Sequence, residues 1–143
     1  MHIKITSFVL LLFLALPAFA QQSPVGIWRT VDDVTGEAKS HLEIFEKDGR
    51  LHGKVVKLLE SPEDTICEEC PGDKKNKPLM GMEILWGLKP YKEYWSYGKI
   101  MDPENGKTYK CSVWLESADK LKVRGYIGVS ALGRNQYWYR VKS

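Results

Sequence analysis

Residues 40–59 read SHLEIFEKDGRLHGKVVKLL, and the alternation within them decides the fold. Asp48-Gly49 is a two-residue turn signal between two runs of period two. A turn there pairs Lys47 with Arg50, Phe45 with His52 and Ile44 with Gly53. One face of the hairpin then carries Leu42, Ile44, Leu51, Val55 and Leu59. The other carries His41, Glu43, Lys47, Arg50, His52 and Lys54. An apolar face backed by a charged one is the pattern of an antiparallel pair buried on one side only.

The same reading extends along the chain. A three-residue loop at Ala118-Asp119-Lys120 puts Tyr109, Cys111, Val113, Leu115, Leu121, Val123 and Ile127 on one face. Lys110, Ser112, Glu116, Lys122 and Arg124 fall on the other. Period-two runs predict strands over 25–32, 40–47, 50–59, 82–87, 93–101, 107–116, 121–127 and 135–141. Turn signals lie at Thr35-Gly36, Asp102-Pro103 and Asn105-Gly106 as well as at the two hairpins. Eight sequential strands joined by short turns predict an all-β, up-and-down antiparallel β-barrel, which leaves no open edge. A β-sandwich is the alternative. One connection breaks the rhythm. Residues 60–80 hold three prolines and little apolar content, and a loop of that length is usually functional, disordered or tied down.

The start of the chain has a different character. Lys4 is followed by an apolar run from Phe8 to Leu16, and Leu16-Pro17-Ala18-Phe19-Ala20 ends it with small residues. This is the pattern of a secretory signal peptide over residues 1–20, with cleavage after Ala20. The run is too short to span a bilayer as a helix, and no second apolar segment follows. Gln21, not a cysteine, stands directly after the cleavage site, which disfavours a lipid anchor. The expected product is a single exported domain over residues 21–143, with the periplasm or the exterior as its compartment and no transmembrane segment. The net charge is +3 for the whole chain, and removing Lys4 with the signal leaves +2. A near-neutral domain whose densest basic cluster is Lys74-Lys75-Asn76-Lys77 gives no footprint for nucleic acid.

Cys67-Glu68-Glu69-Cys70 admits three readings. Redox catalysis needs a depressed thiol pKa, and the intervening carboxylates push the other way. A zinc site needs four ligands. Cys111 could be a third, but His41 and His52 project outward on the first hairpin, so no metal site is expected. A disulfide suits an exported protein. Linking Cys67 to Cys70 pins the long loop and leaves Cys111 as a buried free thiol, although a bridge from either to Cys111 would close a longer loop.

No nucleophile–base–orienter set emerges. His41 and His52 cannot serve each other. Ser130 lacks the G-x-S-x-G surround. The carboxylates sit in turns and on outer faces. The chain is therefore expected not to be an enzyme and to need no cofactor.

Gly26-Ile27-Trp28 opens the first strand, and Tyr137-Trp138-Tyr139-Arg140-Val141 is the last. In a closed barrel these strands are neighbours, so Arg140 can stack on Trp28 and close one end; Arg134 is a second candidate. This G-x-W start with an aromatic-Arg finish resembles the calycins, the superfamily of lipocalins and fatty-acid-binding proteins. A closer resemblance covers nearly all of residues 21–143. It runs through Gly26-x-Trp28, Asp48-Gly49-x-Leu51-x-Gly53, Cys67-x-x-Cys70, Gly81-Met82-x-Ile84-Leu85, Asp102-Pro103-x-x-Gly106-Lys107-x-Tyr109, Val123-Arg124-Gly125-Tyr126-Ile127-Gly128 and Leu132-Gly133-Arg134-x-x-x-Trp138. These motifs are similar to those of an exported bacterial family catalogued as a domain of unknown function. The resemblance implies export and a calycin-like barrel, and brings no activity.

Two functions are consistent with this reading. The first is a non-catalytic barrel holding a small hydrophobic or amphiphilic ligand, with Leu42, Ile44, Val55, Tyr109, Val113 and Val123 as inward candidates and the 60–80 loop as a lid. The second is an envelope interaction or stress protein with a filled barrel, recognising glycan or protein through Tyr91, Tyr94, Trp95 and Tyr97.

Overall fold

The computed structural model describes residues 22–142, together with His2 and residues 10–12. The expected signal peptide and its cleavage site lie almost wholly outside the described residues. Eight strands form one closed barrel in chain order: β1 (Gly26–Val31), β2 (Ala38–Lys47), β3 (Arg50–Leu58), β4 (Glu83–Tyr91), β5 (Tyr94–Met101), β6 (Thr108–Ser117), β7 (Lys120–Tyr126) and β8 (Arg134–Arg140). Each pairs antiparallel with the next, and β8 returns to β1 through Trp28 opposite Arg140. The barrel is the expected fold. Among the described residues, no helix is long and apolar enough to cross a membrane.

The β2–β3 register follows the alternation of residues 42–55: Lys47 pairs with Arg50, Phe45 with His52 and Ile44 with Gly53. It departs at one point. Leu42 faces Val55 but His41 faces Lys57, so Val56 is bulged out. The bulge flips the parity beyond it. Leu58, rather than Leu59, turns inward and packs on the core, while Leu59 is exposed. A second difference lies between β6 and β7. Ser117 pairs with Lys120 across a two-residue Ala118-Asp119 turn, and a bulge at Glu116 restores Leu115 opposite Leu121. Ile127, expected on the inward face, lies past the end of β7 and is exposed.

The largest correction is β4, which continues past Gly87 to Tyr91. Leu51 pairs with Leu88 and Gly53 with Leu85, so one extra residue is absorbed in β4 around Gly87. A matching irregularity falls in β5 between Trp95 and Gly98, where Tyr97 has φ 62°. The β4–β5 turn is Lys92-Glu93, with Lys92 at φ 51°.

Up-and-down topology sorts the connections. The N-terminal arm and the short turns at Asp48-Gly49, Lys92-Glu93 and Ala118-Asp119 lie at one end. The β1–β2, β3–β4, β5–β6 and β7–β8 loops lie at the other. The first end is closed by packing. Arg140 stacks on Trp28, its Cζ 4.4 Å from the indole centroid. Its guanidinium donates to the carbonyls of Ala118 at 2.8 Å, Val25 at 2.9 Å and Ser23 at 2.8 Å. The Trp28 indole N–H donates to the Pro24 carbonyl at 2.8 Å. Gly26 is required beneath this plug, because a Cβ there would lie 2.5 Å from Arg140 Nη1. Trp28, Leu42, Ile44, Leu51, Leu88, Val113 and Leu121 are essentially inaccessible and form the packed core.

Candidate ligand-binding cavity

The opposite end is open. A cavity of about 540 Å³ enters the barrel there, a size usual for a small-molecule site. Its walls are Val55 and Leu58 of β3, Ile84 of β4, Ile100 and Met101 of β5, Tyr109 of β6, Val123 of β7 and Trp138 of β8. Thr30 and Ser40 also reach it, with their hydroxyl oxygens 2.8 Å apart. The Trp138 indole N–H donates to Gln136 Oε1 at 3.2 Å, so the polar groups on the wall are mutually satisfied.

The six predicted ligand contacts divide. Val55, Tyr109 and Val123 line the cavity; Leu42, Ile44 and Val113 do not, because they are packed into the closed half with Trp28. The reading of two isolated hairpins gave their inward face but not their depth. The contacts it missed are Ser40, Leu58, which the bulge at Val56 turns inward, and residues of β1, β4, β5 and β8.

The mouth is built by loops. Two of them share one construction. In the β1–β2 loop, Asp32 Oδ1 accepts the Val34 and Thr35 amides at 2.8 and 2.9 Å, and the Gly36 amide donates to the Asp32 carbonyl. In the β5–β6 loop, Asp102 Oδ1 accepts the Glu104 amide at 2.9 Å, and the Gly106 amide donates to the Asp102 carbonyl. Lys39 ties the two together, pairing with Asp32 at 3.0 Å and with Glu104. The Thr35 amide, aided by Lys39, holds the Asp32 carboxyl well below the usual range. Partial burial works against the charge on Lys39, but hydrogen bonds to Glu104 and Asp32 prevail and its pKa is raised. Arg134 pairs with Asp33 at 2.5 Å between the neighbouring β8 and β1 ends of the mouth. Glu60 stands on the β3–β4 side, where desolvation and a hydrogen bond with Glu37 push its carboxyl up.

The long β3–β4 loop is folded rather than structureless. Cys67 and Ile66 run antiparallel to Lys77 and Pro78, with Leu79 N–H donating to the Thr65 carbonyl at 3.0 Å. Cys67 and Cys70 form a disulfide, and both are buried. Cys70 Sγ contacts Met82 Sδ at 3.7 Å and Met101 Sδ at 3.8 Å, so the bridge is keyed into the barrel wall. The turn also packs on the β5–β6 loop, where a Cβ at Gly106 would collide with the Glu69 carbonyl. Glu60, Ser61 and Leu79 from this loop line the cavity. Cys111 is a buried free thiol, and burial pushes its pKa up.

The other candidates lie outside the cavity. His52 sits on the outer wall, its Nδ1 2.5 Å from Glu83 Oε1. His41 also faces outward, but it is half-buried and its Nε2 has no partner among the described residues; burial, then Lys57 and Arg29, lower its pKa. Among the described residues no cluster of three or more His, Cys, Asp or Glu is arranged to hold a metal ion. The expected surface patch of aromatics is only partly a patch. Tyr91 meets Tyr94 and Tyr97 edge-on at 5.3 Å, and Tyr94 stacks on Trp114 at 4.5 Å. Tyr97 is the exposed member, at 63 %. Trp95 does not belong with them. It pairs with Val113 and packs on the core, because the bulge at Tyr97 separates the two side chains.

Comparison with known proteins agrees with this architecture. A search of curated proteins finds no match. A solved structure from Helicobacter pylori, described as protein HP1028 belonging to the lipocalin family, superposes with a TM-score of 0.74 at 22 % identity and covers 84 % of each chain. At that identity the likeness establishes the lipocalin-like barrel. Residues 26–140, the whole barrel from the glycine under the plug to the arginine that forms it, match the bacterial family described as "Uncharacterized protein conserved in bacteria (DUF2147)", and the chain belongs to that family.

Proposed function

We propose that the protein is an exported, non-catalytic carrier or sensor that holds a small hydrophobic or amphiphilic ligand in the open half of its barrel, with the periplasm as its compartment. The observation that carries this reading is the cavity itself. One half of the interior is packed to exclusion around Trp28, while the other keeps about 540 Å³ bounded by Val55, Ile84, Ile100, Val123 and Trp138. Barrels of this strand number either fill with side chains or hold one ligand. An apolar wall with a polar mouth matches a molecule with an apolar body and a polar end. The amino-terminal pattern of residues 1–20 supports export, and the buried disulfide suits an oxidising compartment.

Native mass spectrometry of the protein from a detergent-free periplasmic extract tests the proposal. The expected species is residues 21–143 less two hydrogens, with an adduct of a few hundred daltons that is lost on denaturation. A bare mass, together with no binding of an apolar dye, overturns it. The exposed Tyr97 beside Tyr91 supports a second reading, a glycan- or protein-recognising envelope component. That reading requires capture by envelope material that Tyr97→Ala abolishes.

A further inference from the structure

We propose that the ligand's polar end is positively charged: the cavity takes a single-chain amphiphile with an amine or quaternary ammonium head, and discriminates against fatty carboxylates. This rests on the ligand-holding reading above and adds the sign of the head group.

The argument is the charge inventory of the mouth. Five carboxylates line it, on Asp32, Asp33, Glu60, Asp102 and Glu104, against two cations, Lys39 and Arg134. Neither cation is free to receive an anion. Lys39 is held between Asp32 and Glu104, and Arg134 is held by Asp33. A fatty carboxylate entering this mouth would have to displace a carboxylate already in place. It would do so beside Glu60, which no cation pairs among the described residues. The negative charges of Glu37 and Glu104 instead press on it, and Lys39 offsets only part of this. A cation placed beside Glu60 relieves that repulsion. The acids come from the β1–β2, β3–β4 and β5–β6 loops, so the negative potential surrounds the entrance rather than marking one edge of it. Its walls are low-dielectric, which strengthens the field inside the opening. Tyr109 and Tyr126 add aromatic rings to the lining, the surface type that attracts ammonium groups.

The test is isothermal titration of the purified, disulfide-bonded protein with three probes of equal chain length, each kept below its micellar concentration. They are dodecyltrimethylammonium, dodecanoate and dodecyl maltoside, titrated at pH 7.5 and low ionic strength. The cation is expected to bind at least about tenfold more tightly than dodecanoate, with the gap narrowing as salt is raised. The double substitution Glu37→Gln with Glu60→Gln is expected to lower the ratio of cation to maltoside affinity several-fold. Lowering the pH far enough to protonate Glu60, which faces Glu37, Lys39 and Glu104, should act in the same direction. Dodecanoate binding as tightly as the cation, or a ratio indifferent to the double substitution, overturns the head-group assignment while leaving a ligand-holding barrel. Failure of all three probes overturns the ligand-holding reading itself, and the assignment with it.

Discussion

Arg140 joins the two ends of the chain, so its removal is felt beyond its own contacts. It donates three hydrogen bonds to carbonyls of the N-terminal arm and the β6–β7 turn while covering Trp28. Arg140→Ala is expected to cost about 2–4 kcal/mol, since three hydrogen bonds from a charged donor are lost and the Trp28 indole is uncovered. Urea denaturation measures this. Arg140→Lys should recover little of it, because a point ammonium cannot span three acceptors and stack on an indole. Asp32 makes a different prediction, one of pH. Its folded carboxyl lies below its ordinary value of 3.8, so its contribution is complete above that value and is lost as the pH falls below it. Asp32→Asn should flatten that part of an acid-unfolding profile and leave the pH dependence above pH 6, where the lowered pKa of His41 acts, the same in both proteins. The plug was legible from residues alone, because a closed barrel must bring its first and last strands together; Arg134, the second candidate, pairs with Asp33 at the opposite end instead. The pairing of Lys39 with Glu104 was not, since 65 residues separate them and each reads as an ordinary loop charge.

Among the elements, the β3–β4 loop carries the clearest consequence. The Cys67–Cys70 bridge closes a very short ring and is worth about 2 kcal/mol by loop entropy alone. Its position matters more than that sum, because it presses the loop against Met82, Met101 and the Gly106 turn. Replacing both cysteines by alanine is expected to lower stability by about that amount. It should speed amide exchange across residues 61–80 while β1, β2 and β5–β8 keep their protection, and native-state hydrogen exchange reads this directly. Uniform acceleration in all eight strands would instead make the bridge a determinant of the whole barrel. The strands around this loop show why some registers could be read and others could not. Residues 42–55 alternate without ambiguity. Val55-Val56 and Leu58-Leu59 do not, since either parity buries one Val and one Leu, and only the bulge opposite His41 and Leu42 selects Val55 and Leu58. The β4–β5 turn was missed for a chemical reason. Lys92-Glu93 carries neither glycine nor asparagine, and the hairpin geometry forces Lys92 to a positive φ that its sequence does not advertise.

At the scale of the whole molecule the interior is two compartments in one barrel, and equal substitutions should sort them. Ile44 lies in the packed half and is essentially inaccessible. Ile84 is also buried, but part of its surface faces the cavity. Enlarging a side chain in a close-packed core forces neighbours off their rotamers and costs about 1–3 kcal/mol. Enlarging one beside an open volume replaces empty space with contacts, and the penalty shrinks or reverses. Ile44→Phe is therefore expected to destabilise by that range, while Ile84→Phe stays within about 1 kcal/mol of the parent. Chemical denaturation gives both numbers. The second substitution should also lower the affinity of a bound apolar dye, because the added ring occupies the space the dye would take. This asymmetry could not have been read from the strands, since alternation assigns a residue to the inside without saying how far along the axis it sits. Depth is set by the arginine plug at one end and by four separate loops at the other, and the cavity exists because, among the described residues, nothing equivalent to Arg140 and Trp28 fills the second end. If Ile84→Phe proves as costly as Ile44→Phe, the open half is as tightly packed as the closed half, and the case for a bound ligand falls with it.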